Sequence, residues 1–248
     1  MGADQNIDLR RGIASTLDWW RAAGVDALID EAPRNWLAAA AAPETATPRD
    51  TKRGETVIAR PPAPPLPDSL EAFNQWRISD AALDAHWGSV RLGAQGKADS
   101  GVMVLIDLPD RSDETAGMLI SGTAGILFDR MLAAIGMDRA SICLAPLAIT
   151  RPATGRIPVE SEADLARLAL HHIGLVAPRR LLLIGNAASR AILGADAASL
   201  RGNLHAVNHK GATLKAVTSF HPRFLLERPA AKAEAWKDLQ LLIGGIDA

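Results

Sequence analysis

From residue 69 onward, the apolar positions switch repeatedly between two periods. VMVLI (102–106), SICLA (141–145), RLLLIG (180–185), LHAVN (204–208) and TLKAVTS (213–219) have the length and the branched, aliphatic content of strands. Between them, apolar residues recur three and four positions apart in SLEAFNQWRI (69–78), TAGILFDRMLAAIG (123–136), EADLARLALHHIGLV (162–176), AASRAIL (187–193) and a last helix that ends near Ile243. Strands that read as nearly unbroken apolar runs are buried on both faces, and their alternation with helices predicts a mostly parallel sheet. The expected fold is α/β, a three-layer α/β/α sandwich around that sheet.

Upstream the pattern changes. GIASTLDWWRAA, VDALIDEA and RNWLAAAAA read as short helices broken at Gly24 and Pro33, with Trp19, Trp20 and Trp36 as packing anchors. Seven of the fifteen prolines then fall between Pro43 and Pro67, a composition that favours extended chain and buries no core. The reading is therefore an N-terminal helical segment (1–41), a Pro-rich linker (42–67) and a compact domain (68–248). The first two are the expected contact region for a protein partner. Neither a signal-peptide pattern nor a run of about 18 apolar residues is present, so the expectation is a cytoplasmic chain with no membrane association.

Charge and cysteine content narrow the picture. Residues 1–138 carry 13 Lys/Arg against 20 Asp/Glu, whereas residues 139–248 carry 14 against 8. A net charge of −1 thus conceals a basic second half suited to phosphate contacts of little sequence specificity, although solvated surface charge would give the same count. The single cysteine, Cys143, lies in an apolar run and reads as a buried small hydrophobe, which leaves no disulfide framework and no multi-cysteine metal site. No Gly-rich nucleotide signature occurs; Gly185, at a strand-to-helix turn, reads as packing. His171 and His172 are adjacent on a helix, face different directions, and read as surface or partly packed.

Two strand ends carry candidate chemistry. His221 closes the strand TLKAVTSF because Pro222 cannot donate to a ladder, and Asp107 follows VMVLI directly. Ligands of open α/β sheets bind beyond the carboxyl ends of strands. Each residue also has a purely structural alternative, Asp107 as a cap for its loop and His221 as a satisfied strand-end histidine. Arg151 and Arg156 share a proline-containing loop, RPATGR, that suits phosphate contacts.

The order of pieces in TSFHPRFLLERPAAKAEAWKDL (218–239) is strand, His-Pro, two variable residues, Leu-Leu, then Pro, Lys and Trp-x-Asp-Leu. With SGTAGILFDRMLAAIGMDRASICLA, RPATGR followed by Pro158, and Leu200-Arg201-Gly202, it resembles the uracil-DNA glycosylase superfamily over about residues 68–243, most closely the bacterial branch with an iron–sulfur cluster. The resemblance implies a uracil-DNA glycosylase-like fold and a DNA repair activity. A damaged base, uracil or another, is flipped into a pocket; Asp107 assists attack of water on the sugar carbon, and His221 stabilises charge on the departing base without a metal. It further implies DNA contacts by Arg151, Arg156 and Arg223, and a minor-groove wedge from Phe224 or Leu225. Several positions depart from the family pattern. Asp107 stands for a glutamate, Asp110 for a glycine, Ile120 for the aromatic that stacks on the base, and Pro146 for the asparagine that reads its edge. Thr150 and a residue near Leu165 occupy cluster-ligand positions, so no iron–sulfur cluster and no other cofactor is expected. These departures keep a second reading open, that of a degenerate member that binds DNA or a repair partner without turnover.

Overall fold

A computed structural model of the chain describes residues 65–97, 99–209 and 212–244. The expectations for the N-terminal helices and for all but the last three linker residues fall on residues 1–64, outside that range. In chain order the elements are α1 (Leu70–Arg77), β1 (Gln95–Gly96), β2 (Val102–Ile106), α2 (Arg111–Ala116), α3 (Gly122–Ala134), β3 (Cys143–Pro146), α4 (Val159–Val176), β4 (Arg180–Ile184), α5 (Asn186–Leu193), α6 (Ala197–Leu200), β5 (Leu204–His209), β6 (Ala212–Ser219), α7 (Pro222–Glu227) and α8 (Lys232–Ile243).

The strands form one sheet in the order β1-β3-β2-β4-β6-β5. The four central strands are parallel; β1 and β5 pair antiparallel at the two edges. The α/β/α layering follows from the alternation within the strands. Val102, Val104 and Ile106 of β2 join Phe128 and Leu132 of α3 and Leu239 and Leu242 of α8 in one cluster. Met103 and Leu105 face the other way, into a cluster with Phe73 of α1, Leu165, Leu168 and Ile173 of α4 and Ala188 of α5. Burial of each such Leu, Ile, Met or Phe is worth about 1.5–3 kcal/mol relative to exposure, so both helical layers are anchored by the same short strands.

Three elements have no counterpart in the sequence pattern: β1, α2 and α6 are two, six and four residues long, too short to express a period. The final helix is two helices. Pro229, which has no N–H to give and starts a short 3-10 turn, separates α7 from α8. His172, expected at the surface or partly packed, is buried. Among the described residues no helix is long and apolar enough to cross a membrane.

A buried polar staple ties α1 to the loop after β3. Arg77 pairs with Asp84 and donates from Nη2 to the Leu147 carbonyl at 2.8 Å. Asp84 accepts from the Ile149 N–H at 2.6 Å, and the Thr150 hydroxyl donates to the Asp84 carbonyl. Every charge in this group has a partner, as burial demands.

Candidate active site at the carboxyl edge of the sheet

The register sets the site. Ile106 lies opposite both Pro146 and Ile184, and Ile184 lies opposite Ser219. The next residues of the four parallel strands, Asp107, Leu147, Gly185 and Phe220, therefore emerge together at one edge, with His221 one position further.

Asp107 does not stand free in the edge. Its Oδ1 accepts from the Ala188 N–H at 2.7 Å, and the N–H groups of Ala187 and Asn186 also stabilise it, so the carboxylate sits on the N-terminus of α5. Burial raises its pKa, and these backbone donors and Arg190 oppose the rise. Gly185 is at φ +116, and a side chain there would overlap the Asp107 carboxylate. The glycine read as plain packing thus makes room for the acid.

His221 is the N-cap of α7: its Nδ1 accepts from the Arg223 N–H at 3.2 Å, and Pro222 occupies the first helical position. An acceptor Nδ1 places the ring proton on Nε2 in the neutral imidazole. Burial lowers the His221 pKa, Asp110 and Asp113 oppose this, and Arg223 adds to it. The neutral form, with one N–H to donate, is favoured.

The strand beneath His221 is fixed from the side. The Ser219 hydroxyl donates to Asp238 of α8 at 2.9 Å, and Asp238 also receives Arg201 Nε at 3.0 Å and the Gly202 N–H at 3.2 Å. The Arg201 guanidinium lies 3.4 Å from the Phe220 ring centre, and Phe220 stacks on Phe224 at 4.7 Å. Arg201 and the aspartate of the Trp-x-Asp-Leu stretch thus meet beneath the strand end.

The other expected site residues divide. Asp110 accepts from Arg223 Nη1 at 2.7 and 2.8 Å and faces Arg151 Nη1 at 3.3 Å, which joins the loop after β2, the loop after β3 and α7. Arg151 also donates to the Pro109 carbonyl at 3.1 Å, whereas Arg156 is exposed. Pro146 pairs with Ile106 and lines a cleft with Phe73, Arg77 and His172. Ile120, the position at which the stacking aromatic is replaced, is 1% exposed within the cluster of Phe128 and Leu132. One expectation requires correction: Leu225, offered with Phe224 as the wedge, is equally buried, because the turn of α7 points it inward and leaves Leu226 outside at 39%. Phe224 is half-buried against Phe220.

Ile120 adopts φ +49, a left-handed conformation in which a β-branched residue is strained. Asp113, 2% exposed, holds it there by accepting from the N–H groups of Ile120 at 3.0 Å and Ser121 at 2.6 Å. Arg139 clamps the carbonyls of Leu119 and Ile120, each at 2.6 Å. Asp113 also accepts from the Asp110 N–H at 3.0 Å, and the D-x-x-D spacing of a helix start was the available signal for it.

The model of the uracil DNA glycosylase superfamily matches residues 94–240, from the start of the sheet into α8. The chain belongs to the uracil DNA glycosylase superfamily. Among its relatives in that superfamily is a type-4 uracil-DNA glycosylase of Pyrobaculum aerophilum, 30% identical over 159 residues that cover 61% of this chain and 81% of the relative. A type-4 uracil-DNA glycosylase of Archaeoglobus fulgidus is 22% identical over 152 residues, 58% of this chain and 76% of the relative. Among the described residues, those at the positions that the resemblance assigns to cluster ligands do not fit an iron–sulfur cluster. Thr150 is bonded to the staple, Leu165 is in the apolar core, and Cys143 is a strand residue whose thiol burial pushes up to about 11.

Proposed function

We propose that the chain is a DNA repair glycosylase that hydrolyses the N-glycosidic bond of uracil or another damaged base. The observation that carries this reading is His221: a neutral imidazole with Nδ1 occupied by its own helix and Nε2–H left to donate, at the strand ends where α/β sheets bind ligands. As the glycosidic bond breaks, its electron pair goes to the base, and a preorganised donor there stabilises the anion as it forms. Water then adds to the sugar carbon, and the Asp107 carboxylate takes the proton that it releases. The type-4 uracil-DNA glycosylases among the relatives support the reaction class.

A second reading, binding without turnover, is favoured by one observation. The Asp107 carboxylate is already engaged by the N-terminus of α5, which leaves it less able to activate water. In either reading the DNA contact falls on the exposed Arg156 and on α7, is largely independent of sequence, and is made in the cytoplasm. Residues 68–248 are the proposed DNA-facing domain, and residues 1–67 are the proposed contact for a protein partner.

The test is single-turnover base release from duplex and single-stranded oligonucleotides, each carrying one damaged base. Release from at least one substrate is expected, reduced about a hundredfold to a thousandfold by His221→Ala with DNA affinity unchanged. Tight binding with no release from any substrate would establish the second reading.

A further inference from the structure

The Arg151–Asp110–Arg223 group is unlike the other surface ion pairs. Two guanidiniums from separate elements converge on one carboxylate. We propose that Asp110 is a resident competitor for a DNA phosphate: Arg151 and Arg223 form a phosphate-binding site, and the Asp110 carboxylate occupies it until DNA displaces it. The inference rests on the DNA reading above.

The geometry supports each part. Both Asp110 oxygens lie within 2.8 Å of Arg223 Nη1, and Oδ1 lies 3.3 Å from Arg151 Nη1, so charge-assisted contacts from two guanidiniums meet on one anion, and a phosphate offers oxygens of the same kind. Arg151 is preorganised. It donates to the Pro109 carbonyl at 3.1 Å and lies against Gly155, where an added side chain would come within 2.9 Å of its Nη2. Arg223 is the more accessible partner, with its side chain 56% exposed, while that of Asp110 is 19% exposed. Two cations on one anion leave a residual positive charge, so a phosphate is still attracted, yet it must displace Asp110 from Arg223 and then lie close to it. A like charge held near an incoming phosphate weakens binding. The device therefore restrains affinity for undamaged DNA, and only a ligand with further contacts overcomes it.

The experiment compares the full-length wild type with Asp110→Asn by fluorescence anisotropy on an undamaged duplex oligonucleotide over a salt series. Asp110→Asn should bind up to about tenfold more tightly at low salt, with the slope of log affinity against log salt steeper by about one. Adding Arg223→Ala to Asp110→Asn should erase the gain. Thermal midpoints check that the fold is retained, and Asp110→Ser serves as the second variant if the asparagine protein does not fold. If the wild type binds and neither folded variant binds more tightly, this proposal alone fails. Absence of binding by every protein at all salt concentrations would remove the DNA reading and this proposal with it.

Discussion

Buried at 6% exposure with no partner on Nε2, the His172 imidazole is neutral in the native state. Burial, with Arg77 and His171 nearby, lowers its pKa to about 4. An unfolded histidine titrates near 6.5, so between these values the unfolded chain binds more protons. The stability contribution is complete above pH 6.5 and is lost as pH falls; from pH 7 to pH 5 the loss is about 2 kcal/mol. His221 adds to the loss, and Asp107, whose raised pKa works in the opposite sense, counters it only where carboxylates titrate. Urea unfolding at both pH values should show His172→Gln with a flatter dependence than the wild type; equal slopes would mean that His172 is charged or solvated. At this scale, what the sequence makes legible is what is local. His221 announces itself through the Pro222 that ends its strand, and Asp113 through its spacing from Asp110. Asp84 gives no such sign, because the Ile149 N–H that it accepts is 65 positions away.

An element holds a side chain in place only as firmly as its own mounting, and β6 shows how this is done. Its last residue, Ser219, hangs on Asp238 of α8, and Asp238 is in turn matched by Arg201 at 2.9 Å. At 1% exposure, Asp238 has given up its water, so replacing it with asparagine leaves the largely buried Arg201 guanidinium with only the exposed Glu234 as a countercharge. Removing one partner of a buried pair typically costs about 3–5 kcal/mol, whereas exposed pairs contribute about 0–1 kcal/mol. Asp238→Asn should therefore destabilise by about 3 kcal/mol. Arg190→Ala, which breaks the more exposed pairs with Glu162 and Asp196, should cost under about 1 kcal/mol. Equal losses in denaturant midpoints would show that Asp238 is not effectively buried. α4 was readable through its helical period, which burial of one face imposes, and β4 through its unbroken apolar run, which burial on both faces imposes. The break between α7 and α8 was signalled by Pro229, but a helix period on both sides masked it.

Across the whole molecule, the basic half of the sequence does not become a uniformly basic surface. Arg139, Arg151, Arg190 and Arg201 each pair with carboxylates, so much of the charge excess counted along the chain is neutralised within the fold. The charge asymmetry was legible; its distribution was not, because ion pairs depend on which loops meet. Arg156 remains exposed in the loop after β3, at the same edge as His221. Arg179 is also exposed, but it precedes β4 at the opposite edge. A five-residue strand spans roughly 16 Å, well beyond the Debye length of about 8 Å at physiological salt. A phosphate held at the carboxyl edge therefore senses Arg156 and is screened from Arg179. Each phosphate contact contributes about 0.9 to the slope of log affinity against log salt. Arg156→Ala should flatten that slope by close to this amount, while Arg179→Ala should leave it unchanged. Anisotropy titrations on one duplex at several salt concentrations measure both. Equal effects of the two substitutions would mean that DNA is attracted diffusely and not at the edge that carries Asp107 and His221.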